Sequence, residues 1–165
     1  MVTESANVLA GYASRRQAFA STLSGLPPGP MRLQKETSNL FRTRNTNPHH
    51  ALDISAFSHV LNIDTESNTI EVEGMTPYAD VISASLQGGL MPKVVPQLKS
   101  ITVGGAISGI GIESSSFRYG LPHESVLEMD VLLAGGDVVT CTPDNAHQAL
   151  FFGMPNSYGT LGYIL

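Results

Sequence analysis

The stretch that decides the fold is ITVGGAISGIGIESSSFRYG, residues 101–120. It holds five glycines and four serines, and its only charged residues are Glu113 and Arg118. Glycine permits positive φ angles and lets a backbone come close to a ligand. Backbone N–H groups at a helix start or in a nest bind phosphate, and serine hydroxyls add donors without bulk. The stretch therefore predicts a loop that holds a diphosphate rather than one that attacks a substrate.

Two common nucleotide-binding patterns do not fit this stretch. No Gly-Lys-Ser/Thr follows the glycines, as a P-loop requires, and no strand leads directly into a Gly-x-Gly-x-x-Gly with an acidic residue about 20 positions on. The hairpins predicted elsewhere in the chain also do not suit the parallel sheet of an NAD-binding Rossmann domain. The remaining structural alternative is a plain Gly/Ser-rich surface loop.

The order of the motifs is more specific than the glycine count. In sequence they are Val95-Pro96, Thr102-Val103-Gly104-Gly105, Gly109-Ile110-Gly111, Ser114-Ser115-Ser116 and Tyr119-Gly120. This string resembles the PCMH-type FAD-binding domain of the vanillyl-alcohol oxidase family of flavoproteins. Within that family it is most similar to the Δ24-sterol reductase branch, where a Gly-Ile-Glu-Ser-Ser-Ser segment sits at this place. The resemblance covers residues 31–165 and is most specific over residues 96–162.

The resemblance implies a fold, a cofactor and an activity. The fold is α+β, with FAD held between two subdomains, and the activity is that of a flavin-dependent oxidoreductase that passes hydride through flavin N5 to or from a small, hydrophobic sterol-like or alcohol substrate. The implied cofactor-binding residues are Pro96, Thr102, Val103, Gly104, Gly105, Ala106, Ile107, Ser108, Gly109, Ile110, Gly111, Ile112, Glu113, Ser114, Ser115, Tyr119, Gly159, Gly162 and Ile164. Gly159, Gly162 and Ile164 fall in the segment that lies under the adenosine half of FAD in the family.

A second diphosphate contact is implied at Thr37, Ser38 and Asn39, on the side opposite the glycine-rich stretch. Many members of the resembled family carry a Gly-x-Gly-His-Ser loop there, and in some the histidine bonds covalently to the flavin. This sequence has neither those glycines nor that histidine, so the FAD is expected to be non-covalent. An ordinary turn with local side-chain hydrogen bonds is an equally good interpretation of these residues.

Glu113 is unexpected beside a diphosphate, because two negative charges repel each other. We expect its carboxylate to turn away, to accept backbone N–H bonds, or to face the flavin ring. Arg118 is expected to pair either with Glu113 or with the phosphates.

Alternating and helical patterns predict the elements around the glycine-rich stretch. Helices are expected at residues 4–23, at 77–87 with Thr76 as its cap, near Thr102, and at 145–152 with Asp144 as its cap; strands are expected at 31–34, 50–54, 60–63, 69–72, 126–133 and 137–141. Gly25 and the prolines that follow it end the first helix. We therefore divide the chain into an N-terminal helix with a Pro-rich linker, residues 1–28, and a FAD-binding domain, residues 29–165. The first helix is expected to pack on the surface of that domain or on a part not present here.

Composition limits the classes of partner. The chain has 165 residues, enough for one domain, and a net charge of −5, which argues against nucleic acid because phosphate backbones are bound by clustered basic residues. No apolar run approaches the ~18 residues of a membrane span. The single cysteine, Cys141, excludes an internal disulfide, is expected to be structural, and favours a reducing, cytoplasmic location. The histidines lack the spacing of metal ligands, so no metal is expected.

Residue 165 falls inside an expected strand. We therefore expect the last part of the FAD domain and the substrate-binding cap to be absent, and the catalytic residues, which are unknown, to lie outside this chain. The open sheet edge that results would favour a homodimer. The alternative to a flavin enzyme is a non-catalytic nucleotide-binding or interaction module on the same scaffold.

Overall fold

The computed structural model of the chain describes residues 2–34 and 50–165. The helices are α1 (Val2–Ser24), α2 (Tyr78–Gln87), α3 (Val103–Gly109), α4 (Ser116–Tyr119) and α5 (Gln148–Gly153), with a 3-10 turn at Pro122–Ser125. The strands are β1 (Met31–Gln34), β2 (His50–Asp53), β3 (Val60–Asp64), β4 (Thr69–Val72), β5 (Met129–Leu132), β6 (Val138–Cys141) and β7 (Tyr163–Ile164). The predicted α+β class is confirmed.

The described strands form three small sheets. β1 and β2 pair in parallel, β3 and β4 form an antiparallel hairpin, and β5 lies between β6 and β7 with both pairings antiparallel. Each strand places alternate side chains on opposite faces. In β5 this alternation sends Val131 into one buried cluster and Leu132 into another. β5 therefore lies between the two halves of the core and contributes side chains to both.

The two core clusters have different neighbours. The first joins α1, β2 and β5 through Leu23, Leu52, Ile54, Phe57, Leu132 and Leu165. The second lies beneath α3 and contains Ile107, Met129, Val131, Cys141, Phe151 and Met154. Burial of these side chains supplies most of the favourable free energy of folding. The second cluster fixes the glycine-rich helix on the central sheet, which consists of β5, β6 and β7.

Helix α1 packs directly on the domain, which is the first of its two predicted placements. The rings of Tyr12 and Phe19 meet Phe57 edge to face, with centroids 6.2 Å and 5.7 Å away. Leu23, near the end of the helix, is buried in the first core cluster. The hydrophobic face of α1 is thus part of the same core as β2 and β5.

Polar side chains of α1 also reach two separate sheets. Arg15 pairs with the fully buried carboxylate of Glu73, which follows β4. On the same helix, Arg16 Nη1 lies 2.8 Å and the Tyr12 hydroxyl 2.6 Å from Asp130 Oδ2, in β5. The helix therefore links the β3–β4 hairpin to the central sheet.

Both predicted helix caps were wrong. Thr76 is buried, and its hydroxyl donates to the carbonyl of His59 at 3.0 Å, so α2 begins after Pro77 without a side-chain cap. Asp144 accepts a hydrogen bond from the Thr142 hydroxyl at 2.7 Å, and α5 begins later than predicted, at Gln148. Thr76 is thus held by His59, the residue before β3, and Asp144 by Thr142 in the turn before α5, so neither side chain caps its helix.

Candidate functional site

The glycine-rich helix starts next to Thr102, as the sequence predicts, and Thr102 is its cap. Its backbone is extended, and its hydroxyl oxygen accepts a hydrogen bond from the N–H of Gly105 at 3.2 Å. Threonine is a preferred residue at this position because its side chain satisfies a backbone donor that has no partner inside the helix. The pattern Thr-Val-Gly-Gly thus specifies where α3 starts.

The first N–H groups of α3 are already occupied by protein acceptors. Val103 N donates to the carbonyl of Thr76 at 3.0 Å, and Gly104 N donates to the carbonyl of Gly74 at 2.8 Å. With Gly105 N bound to Thr102, the helix start offers no free amide among these three. In the described structure these three amides are therefore bonded to protein acceptors, and the expected diphosphate contact of residues 102–105 stays a prediction.

The two adjacent glycines of α3 have different surroundings. A Cβ added at Gly104 would lie 2.9 Å from the carbonyl oxygen of Gly74 and 3.4 Å from Ile164 Cβ, so this glycine permits close backbone packing. A Cβ at Gly105 would meet, within 4 Å, only the hydroxyl of Thr102, at 2.9 Å. Gly104 is thus required by the fold, whereas Gly105 leaves its side of the helix open to a ligand.

Glu113 accepts a backbone N–H bond, one of its three predicted outcomes. Its Oε2 lies 3.1 Å from the N–H of Gln97, directly after the buried Pro96. The Ser115 hydroxyl donates to the carbonyl of Lys93 at 3.2 Å. These two bonds hold the loop after α3 against residues 93–97. Burial, above all, and the Glu113 charge raise the pKa of the Tyr78 phenol to about 12.

Arg118 does not make the predicted pairing with Glu113. Its guanidinium instead lies over the ring of Tyr119, 5.3 Å from the centroid, where the π face attracts a cation. Ile112, before α4, and Phe117, within α4, are 75% and 91% exposed. Residues 112–119 therefore present apolar side chains and one cation on the surface of the described chain.

The C-terminal glycines are explained by packing as well. Gly159 has φ 82°, and a Cβ there would lie 3.0 Å from the ring of Tyr163. A Cβ at Gly162 would lie 2.6 Å from the carbonyl oxygen of Leu132. Packing alone therefore accounts for both glycines, and their contact with the adenosine half of FAD stays a prediction.

The structure brings the two main groups of predicted site residues together. Ile164 pairs with Val131 in the sheet and contacts the Gly104 side of α3. The amide of Tyr158 donates to the carbonyl of Ser108 at 3.0 Å, which joins the loop before β7 to the end of α3. The other predicted group, Thr37, Ser38 and Asn39, lies outside the described residues.

Three positions near this site carried no functional signal in the sequence. A Cβ at Gly74 would overlap the carbonyl of Ile164, so this glycine permits the close approach of β7. His123 and Ser157 each bury a side-chain atom that has no hydrogen-bond partner within the described chain. Single polar residues in loops have no pattern that predicts such burial.

Cys141 lies in the core, away from the loops of this site. It is fully buried, and burial followed by the charge of Asp130 raises the pKa of its thiol. Across residues 2–34 and 50–165, no three His, Cys, Asp or Glu side chains are grouped as a metal ion would need. Over the same ranges, no helix combines the length and apolar character of a membrane span.

These features define an α+β domain in which a Thr-capped, glycine-rich helix lies open beside the last strand, as expected of a nucleotide-binding domain. A family model described as "FAD binding domain" matches residues 29–142, more than half of the chain. The chain therefore belongs to the FAD-binding domain family. The predicted resemblance and the predicted cofactor, FAD, are confirmed by this match.

The chain is also similar to curated enzymes. It is 38% identical to Delta(24)-sterol reductase of Pisum sativum over 117 residues, which are 71% of this chain and 21% of that protein. It is 38% identical to the Homo sapiens Delta(24)-sterol reductase over 106 residues, 64% of this chain and 20% of the relative. Cytokinin dehydrogenase 10 of Oryza sativa subsp. japonica is 30% identical over 154 residues, 93% of this chain and 24% of the relative. The chain thus spans about a fifth to a quarter of the length of these relatives.

Proposed function

We propose that the complete polypeptide is an FAD-dependent oxidoreductase and that this chain is its cofactor-binding portion. The observation that carries the proposal is the family match over residues 29–142, which includes the glycine-rich helix and its open face at Gly105. Both kinds of similar enzyme, a sterol reductase and a dehydrogenase, are named for redox reactions. When bound, the flavin supplies hydride transfer, and the protein supplies binding and orientation.

The described residues fit a bound FAD in two respects. The open side of Gly105 lets a ligand approach the backbone where a side chain would block it, and the hydroxyls of Ser108 and Ser114 lie in the same glycine-rich segment. In addition, buried polar atoms without partners in the described chain lie near the end of α3. We assign the cofactor to the residues that the sequence predicts over 96–119 and at 159, 162 and 164, together with the loop at 37–39.

We further propose that the FAD is held without a covalent bond and that the substrate is a hydrophobic sterol-like molecule or alcohol. The first proposal follows from the absence of a histidine at residues 37–39. The sterol-like substrate is supported by the name of the similar Delta(24)-sterol reductases. The cytoplasmic location and the homodimer remain predictions, to be tested by cell fractionation and by light scattering.

The test is an absorbance spectrum of the purified chain, followed by titration with FAD. Flavin bands at about 450 nm that move into the filtrate after denaturation indicate non-covalent FAD. Gly105→Val should abolish flavin binding while the chain stays folded by circular dichroism, because its side chain fills the face of α3 that is open beyond the Thr102 hydroxyl. Gly25→Val is the matched control, since a Cβ there meets only carbonyl oxygens at 3.5 Å and 3.7 Å. A folded chain that does not bind FAD in the titration would instead support the alternative hypothesis of a non-catalytic module.

A further inference from the structure

Two buried polar atoms have no hydrogen-bond partner within the described chain: Nδ1 of His123 and Oγ of Ser157. Ser157 is only 8% exposed as a whole residue. Buried side-chain donors and acceptors are nearly always paired, because leaving one unpaired costs free energy. Each orphan atom is therefore a place where a bound molecule can supply the missing partner.

Both atoms belong to segments that meet the C-terminal end of α3. The residue after Ser157 donates its amide to the carbonyl of Ser108, 3.0 Å away. The 3-10 turn that contains His123 begins at Pro122, whose Cγ would lie 3.2 Å from a Cβ at Gly111. The orphan groups thus flank the end of the glycine-rich helix, and not its capped start.

The same end of α3 holds most of the unusual backbone. Within the described residues, four non-glycine residues have positive φ, and three of them lie here: Ile110 at 51°, Asn156 at 63° and Tyr158 at 51°. A side chain in this conformation is strained, and such strain clusters at ligand sites, where the surrounding structure enforces it. Here the strain holds Ser157 between Asn156 and Tyr158.

We propose that the Ser157 hydroxyl and His123 Nδ1 are hydrogen-bonding contacts of bound FAD and position it at the C-terminal end of α3. This inference rests on the proposed function. It agrees with the state of the two helix ends: the amides at the start of α3 already have protein acceptors, whereas the polar atoms without partners lie at its other end. Neither residue belongs to the glycine-rich pattern.

Ser157→Ala separates a ligand contact from a structural role, because the two predict opposite effects. If the hydroxyl gains its hydrogen-bond partner only when FAD binds, its removal leaves the melting temperature of the FAD-free chain unchanged or raises it. The same removal weakens FAD affinity about tenfold. Ser85→Ala is the matched control: Ser85 is 3% exposed, and its hydroxyl donates to the carbonyl of Ile82 at 3.2 Å in α2. Its FAD affinity should equal that of the unmodified chain.

A conservative change at His123 offers a rescue. His123→Asn loses the part of the ring that carries Nε2 but keeps a polar amide group close to the position of Nδ1, so this variant should retain FAD affinity. His123→Leu removes the polar atom and should weaken affinity about tenfold. Both affinities are measured by quenching of flavin fluorescence during titration.

The outcomes distinguish the inference from the proposed function. Unmodified affinity in both Ser157→Ala and His123→Leu overturns the inference and leaves the FAD site intact. A lowered melting temperature of FAD-free Ser157→Ala shows that the hydroxyl serves the fold, and this also overturns the inference. An unmodified chain that binds no FAD overturns both.

Discussion

Replacing Arg15 by Met should destabilise the protein far more than the same change at the neighbouring Arg16. Arg15 bonds to Glu73, whose side chain is completely buried, whereas Arg16 bonds to Asp130, which is 17% exposed. Methionine approximates the apolar stem and keeps the helix propensity of arginine, and it removes the charged group.

The magnitudes follow from what each carboxylate retains. Removing one partner of a buried ion pair costs about 3–5 kcal/mol. Glu73 keeps two bonds from His59, through its backbone N–H at 2.8 Å and through Nδ1 at 2.6 Å. We therefore expect Arg15→Met to cost about 2–3 kcal/mol, below that range. Asp130 keeps its bonds from Tyr12 and Thr140, so Arg16→Met should cost less than about 1 kcal/mol.

Urea unfolding monitored by circular dichroism measures both free energies by linear extrapolation. The double variant Arg15→Met/Glu73→Gln should lose less unfolding free energy than the sum of the two single changes. An amide at position 73 carries no charge, so removal of Arg15 no longer leaves a buried charge without a partner. Equal losses for Arg15→Met and Arg16→Met would refute the reasoning that burial of Glu73 decides the cost.

Three further predictions concern the glycines, the cysteine and the response to alkali. Gly104→Ala should lower the unfolding free energy by about 1–3 kcal/mol, because its Cβ would press on the Gly74 carbonyl. The Cβ of Gly109→Ala would lie 3.7 Å from a Tyr158 ring carbon, so this variant should be neutral or stabilising by up to about 1 kcal/mol. Similar urea unfolding curves for the two variants would contradict this prediction. Cys141→Ala should leave FAD affinity unchanged, and the native thiol should resist alkylation, so rapid labelling with iodoacetamide would show the burial to be misjudged. The pKa of Tyr78 rises from 10.0 to about 12 on folding, so its contribution to stability is complete below pH 10 and is lost as pH rises through about 12, by up to about 1.4 kcal/mol per pH unit. Tyr78→Phe should have a flatter dependence of stability on pH between these limits, measured by urea unfolding at successive pH values.

The sequence was sufficient for the local elements whose periodicity is strong. The strand-like residues 60–63 and 69–72, with a turn between them, predicted the β3–β4 hairpin, and the glycine-rich stretch predicted a helix that starts near Thr102. It failed where a side chain chose a tertiary partner over a local one. Thr76 and Asp144 have the chemistry of caps, but each bonds to the chain before it.

The site was predictable as a set of residues and not as a set of interactions. A glycine is equally required by a nearby ligand and by a nearby backbone, and the sequence does not distinguish these causes. Gly104 and Gly162 approach backbone carbonyls, whereas a side chain at Gly105 would meet a single hydroxyl. His123 and Ser157 are ordinary polar residues in sequence, and only the packing around them leaves an atom without a partner in the described chain.

The contacts of α1 also bear on how the chain folds. Its polar partners are far away in sequence, 58 residues from Arg15 to Glu73, and 114 and 118 residues from Arg16 and Tyr12 to Asp130. Contacts over such separations close large loops and slow folding. During synthesis the helix leaves the ribosome long before Asp130 does. Its rings can meet Phe57 earlier, but the bonds of Tyr12 and Arg16 to Asp130 form only after β5 is made. The last step of folding is therefore expected to be the docking of α1, and a chaperone would meet that helix before its partners exist.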